Sequence, residues 1–181
     1  IWTDATGFED VDVELRVGRG DWTDTPSEKL SDEYIVPICG IDLAKTVRKP
    51  EDLQNGPLIR ILGQEADWGR YFAAHEIAMP TGVSEYFVDT MTAAIELAAT
   101  GGGYAVVIKR LVDMANAARP RVGVVGEAVP IPNAHYLMRP RSKRSKRPEV
   151  LLFENWLREE FSKDAVFGSL ISSLDNIQTH R

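Results

Sequence analysis

A helix that stops on three consecutive glycines and hands the chain straight into an apolar strand is the feature that most narrows the possible folds. It occupies Asp89 to Ile108. Asp89 or Thr90 can N-cap the helix, and Ala93, Ala94, Leu97 and Ala98 share a small-residue face at helical spacing. Gly101 to Gly103 supply the stop before the strand Tyr104 to Ile108. The same alternation runs along the chain. Val11, Val13, Leu15 and Val17 alternate with Asp12, Glu14 and Arg16, a period of two that gathers the apolar set on one sheet face, and Gly18 and Gly20 end that strand. Ile1 to Thr3, Glu33 to Cys39, Leu58 to Leu62, Ser84 to Val88 and Ala134 to Met138 read as further strands. Pro50 opens a short helix, Trp68 to Ile77, Arg110 to Ala118 and Pro148 to Phe161 read as longer ones, and Val166, Leu170, Ile171 and Leu174 are spaced for one more. Alternating strands and helices predict an α/β architecture with mainly parallel sheets.

Chemistry at a reactive side chain finds little support. The lone Cys39 sits in the apolar run Ile35-Val36-Pro37-Ile38-Cys39 and fits packing in a reducing, cytoplasmic setting. His75, His135 and His180 lack the close spacing of metal sites, and no pattern singles out a carboxylate pair. Gly18-Arg19-Gly20 and Gly101 to Gly103 supply neither a phosphate loop nor a dinucleotide fingerprint. No catalytic residue, metal or cofactor is expected. No run of about 18 apolar residues is present to span a membrane, and the chain does not open with a secretory signal pattern. A net charge of −6 argues against a nucleic-acid coat. The basic cluster Arg139, Arg141, Lys143, Arg144, Lys146 and Arg147 has no interleaved aromatics and reads as a solvated loop.

Binding is better supported. In α/β proteins small ligands sit at strand ends facing helix N-termini, where unpaired amides and the helix dipole favour an anion. Thr6 follows the first strand, and Thr90, with Met91 and Thr92, opens the alanine-rich helix. Thr90 is equally readable as a plain cap, and the two roles are compatible.

Three segments carry a resemblance. Glu9 to Trp22 is similar to the "(E/D)(D/G)VD(L/V)AIRxGxGxW" stretch of LysR-type transcriptional regulators, especially the branch of the glycine-cleavage activator. Val88 to Ile108 resembles that family's "FDSYDLALQAALAGQGVAL" element, and Ala134 to Pro140 with Arg147 to Leu157 resembles its "YYLVRP…RPEVxAFRxWL" ending. The order and spacing are the family's over about residues 1–161.

The resemblance implies a two-lobed, periplasmic-binding-protein-like (type 2) α/β fold with two crossover segments. Residues 1–37 and 132–181 would form one lobe and 38–131 the other. The family's first strand and helix would precede Ile1, and the connection after Thr6 is shorter than the family's. The family's effector contacts map onto Thr6, onto Ile61, Leu62 and Gly63 at a strand end, and onto Thr90 and Met91. Its dimer contacts map onto Ala93, Ala94, Leu97 and Ala98, although a face buried within one lobe explains those alanines equally well. The function so implied is the effector-sensing domain of a bacterial, cytoplasmic transcription factor. It would hold a small metabolite, anionic or amide-bearing, between its lobes and act as a homodimer or homotetramer. DNA would be read by a helix-turn-helix region outside this chain. The rival is a transporter's solute-binding protein of the same fold, which the Arg16-Val17-Gly18-Arg19-Gly20-Asp21-Trp22 wording disfavours.

Overall fold

The structure, a computed structural model, describes residues 11–64, 66–139 and 147–162. The strand expected at Ile1 to Thr3, the candidate Thr6, the middle of the basic cluster and the helix expected over 166–174 lie outside the described residues. In chain order the elements are β1 (Glu14–Gly18), β2 (Ser27–Lys29), β3 (Glu33–Gly40), α1 (Ile41–Ala44), a 3-10 helix (Pro50–Asn55), β4 (Leu58–Ile61), α2 (Ala66–Ala74), β5 (Glu85–Val88), α3 (Met91–Ala99), β6 (Tyr104–Ile108), α4 (Lys109–Asn116), β7 (Val122–Val124), β8 (Val129–Ile131) and β9 (Ala134–Met138). A final helix, α5, covers 148–162.

The chain divides into two units, Ile1–Glu33 with Ile131–Arg181, and Tyr34–Pro130. The first boundary falls earlier than Pro37. Ile35 and Val36 already pair with Ile108 and Val107, which commits them to the second unit's sheet.

In that second unit the strand order is β5-β4-β6-β3-β7, with β8 also paired to β3. β4 runs parallel to β5 and β6, whereas β3 is antiparallel to β6 and β7. The sheet is therefore mixed where mainly parallel pairing is expected from the alternation of elements. Ile35 faces Ile108 and Ile38 faces Ala105, so β6 runs back toward the end at which β3 enters.

Period two assigns the faces of this sheet. Val36, Ile38, Ile59, Ile61, Ala105 and Val107 join Met91, Ala94, Ile95 and Ala98 of α3 and Val112 of α4 in one core. The alternate residues Ile35, Cys39, Leu58, Tyr104 and Val106 are buried too, as are Leu53, Trp68, Tyr71 and Phe72. Trp68 stacks on Phe72 at 5.2 Å and donates its indole N–H to the Ile59 carbonyl at 3.0 Å. A sheet with both faces covered needs near-continuous apolar strands, and these strands supply them. Ala94 and Ala98, which the resemblance maps onto a dimer face, are 0 % exposed within this chain, where their short side chains let α3 lie close on β4 and β6. The glycine stop has two jobs. Gly101, at φ 85°, turns the chain out of α3 while Gly102 N–H returns to the Leu97 carbonyl at 3.1 Å, and Gly103 packs where a Cβ would strike the Pro57 carbonyl.

The first unit is built on an antiparallel sheet ordered β1-β9-β2. Residues directly opposite share a face, so Leu15, Leu137 and Glu28 line up, as do Val17 and His135. Helix α5 meets this face at Glu28, through Arg158 at 2.9 and 3.0 Å, and at His135, whose ring lies 5.2 Å from Phe161. That contact leaves β1's share open: Leu15 is 43 % and Val17 55 % exposed. Arg16, which alternates with them, is better buried. It forks onto Glu14 and Asp24 and lies over the Trp22 ring at 5.6 Å. The alternation identified a shared apolar face correctly, but it carries no information on what covers that face.

Candidate functional site

The N-terminus of α3 is organised by Thr90. Its backbone is extended (φ −137°, ψ 153°), its hydroxyl accepts the Ala93 N–H at 3.1 Å, and its carbonyl accepts the Ala94 N–H at 3.1 Å. The amides of Met91 and Thr92 come before the first of these bonds and are the helix's open donors. Beside them runs the turn after β4. Ile61 pairs with Val88, Leu62 N–H donates to the Val88 carbonyl at 2.9 Å, and Gln64 N–H closes the turn on the Ile61 carbonyl at 2.9 Å. Gly63 takes a left-handed φ of 83° in that turn.

Parallel pairing of β4 with β5 thus brings Ile61, Leu62 and Gly63 to the entry of α3, although some 27 residues of chain separate Gly63 from Thr90. The side chains are not equally available. Ile61 and Met91 point into the core and offer only backbone, whereas Thr90, Thr92 and Leu62 are exposed. On the second face of α3, Ala93 and Leu97 remain partly exposed while Ala94 and Ala98 do not. Chemically, the site can place a carboxylate or amide oxygen on helix-terminal amides with a threonine hydroxyl beside it.

One other side-chain cluster and the lone cysteine lack catalytic geometry. Ser31, Glu33 and His135 meet in the first unit, with Ser31 Oγ donating to Glu33 Oε1 at 2.6 Å. Both approach the same ring nitrogen: His135 Nδ1 lies 2.9 Å from Glu33 Oε1 and 3.3 Å from Ser31 Oγ. A nucleophile and its orienter must address opposite nitrogens, so this cluster ties β9 to the start of β3 instead. Cys39 is fully buried, and burial pushes its thiol up to about 11, away from nucleophilic use. Among the described residues no three His, Cys, Asp or Glu side chains gather to hold a metal, and no helix is long and apolar enough to cross a membrane.

In the second of the two units, a threonine-capped helix end thus lies beside a strand-end turn. Residues 8–162 match the model of the LysR substrate binding domain, and the chain belongs to that family. It is 32% identical over 135 residues to y4mQ, an uncharacterized HTH-type transcriptional regulator of Sinorhizobium fredii, covering 72% of this chain and 44% of that one. Over 66 residues it is 38% identical to the glycine cleavage system transcriptional activator of Escherichia coli K12, covering 35% and 21%. Its fold is that of the effector domain of the transcriptional regulator AmpR of Pseudomonas aeruginosa, with a TM-score of 0.71 at 23% identity, covering 88% of this chain and 76% of that chain. The chain spans less than half the length of either curated relative.

Proposed function

We propose that this chain is the sensing part of a bacterial, cytoplasmic LysR-type transcription factor. It binds a small metabolite bearing an anionic or amide group at the N-terminus of α3 and the turn after β4. A region outside this chain reads DNA, and self-association passes the signal on. The observation that carries the reading is the hydrogen bond from Leu62 to Val88, which sets the glycine turn beside the open amides of Met91 and Thr92. Family membership and the regulator names of the relatives favour it over a transporter's solute-binding protein.

The test is a thermal-shift screen of carboxylate and amide metabolites, followed by calorimetry on the best one. Thr90→Val keeps the side-chain shape and removes the hydroxyl, so affinity should fall roughly tenfold or more. The lost cap should cost stability about 1 kcal/mol. Unchanged affinity would reduce Thr90 to a cap and move the site elsewhere.

A further inference from the structure

A cavity of about 460 Å³ opens in the second unit, away from the α3 N-terminus. Its walls come from the chain between α1 and the 3-10 helix, from His75 just after α2, and from the chain leaving β7. The volume is that of a small-molecule site. Arg48 and Lys49 stand in one wall and Glu127 in another. Among the described residues none of these three side chains holds an ion pair or a hydrogen bond. The Asp52 carboxylate accepts the backbone N–H groups of Arg48 and Lys49 on Oδ2 at 2.8 and 3.2 Å, and these bonds with the charges of Lys49 and Arg48 hold it below the usual carboxylate range, without a side-chain ion pair to either cation.

Two buried polar atoms are without a hydrogen-bond partner among the described residues: Nε2 of His75, which lines the cavity, and Oη of Tyr71, which lies behind the lining residue Gly126. Buried polar groups are nearly always satisfied, so the orphaned His75 nitrogen marks a place in this wall where a polar partner is missing. The Tyr71 hydroxyl lies directly behind Gly126, where a Cβ would collide with it, and Tyr71 and His75 are in ring contact at 4.7 Å. Burial and the Glu127 carboxylate push the phenol up to about 12, so it stays a neutral donor.

The charges select the ligand. Paired cations alone would suit a simple anion, but Glu127 repels one. A molecule with a carboxylate at one end and an ammonium at the other satisfies both walls, and Val47 and Val125 line the cavity with apolar surface. We propose that this cavity binds a free α-amino acid with a small apolar side chain, its carboxylate on Arg48 and Lys49 and its ammonium on Glu127. The inference is independent of the α3 site.

Calorimetry on the whole chain with glycine, L-alanine and L-valine tests it, with acetate and methylammonium as half-ligands. At least one amino acid should bind at millimolar concentration or below, and each half-ligand roughly tenfold more weakly or worse. Glu127→Gln, and Arg48→Ala with Lys49→Ala, should each weaken the amino acid roughly tenfold. All three positions are exposed, so both variants should keep the parent's melting temperature. Thr90→Val should leave this binding unchanged, which separates the cavity from the α3 site. Absence of binding by all three amino acids, binding indifferent to the cavity variants, or binding lost in Thr90→Val would each overturn the proposal.

Discussion

In the second unit a six-stranded sheet is buried on both faces by α2, α3 and α4, whereas the three-stranded sheet of the first unit leaves Leu15 and Val17 in the open and relies on arginine forks. Glu28 shows the contrast. It receives Arg158 in two hydrogen bonds and Arg139 in another, and those guanidinium groups hold its carboxyl down at about 2. Cohesion in one unit thus comes from apolar area, which is indifferent to pH. In the other a substantial share comes from charge-assisted bonds, which are not.

The largest test of that contrast is Phe72→Ala. The ring is fully buried against Trp68 and Tyr71, so its loss should cost about 3–5 kcal/mol in urea unfolding. A loss below about 1 kcal/mol would mean that the aromatic layer under the sheet is not packed as described.

Next comes the first unit's ion-pair node. Glu28→Gln should destabilise by about 1–3 kcal/mol, with the larger effect at neutral pH. A carboxyl whose pKa is lowered by folding contributes fully above its ordinary value of 4.5, and the contribution is lost as pH falls toward about 2. The parent should therefore lose stability across that window while the Gln variant loses less. Parallel acid curves for the two proteins would remove Glu28 from the argument.

The smallest expected effect is on the open face. Val17→Thr keeps the β-branched shape favoured in strands, and at 55 % exposure it should change stability by about 0.5 kcal/mol or less. A loss several times larger would show that the β1 face is covered in solution, and the contrast between the units would narrow.

Where periodicity is local, the fold was legible in the sequence. Thr90 as cap, the glycine stop, α2, β4, β9 and α5 were all readable, because each is set by residues within a turn or two of one another. β2, β7 and β8 are three residues each, too short to show a period, and α1 is a single turn. The antiparallel pairing of β3 with β6 depends on partners some 70 residues apart and leaves no local trace. The same holds for exposure. Leu15 and Ala94 have equally apolar patterns, yet one lies open and the other at 0 %, because their neighbours in space come from distant chain. Of the candidate site, Thr90 and the Ile61 to Gly63 turn were found through the family resemblance and helix-end chemistry. Arg48, Lys49, His75 and Glu127 were not, since three separate stretches of chain must converge before their charges face one cavity.

Cys39, the chain's single cysteine, lies fully buried on β3 beside Gly123 of β7. That makes it a clock for one half of the molecule. Any thiol reagent must wait for the second unit to open, so the rate of labelling reads that opening directly and ignores the first unit. With the intrinsic thiolate fraction already suppressed by burial, a labelling rate that follows denaturant as steeply as global unfolding would mean that the second unit never opens alone.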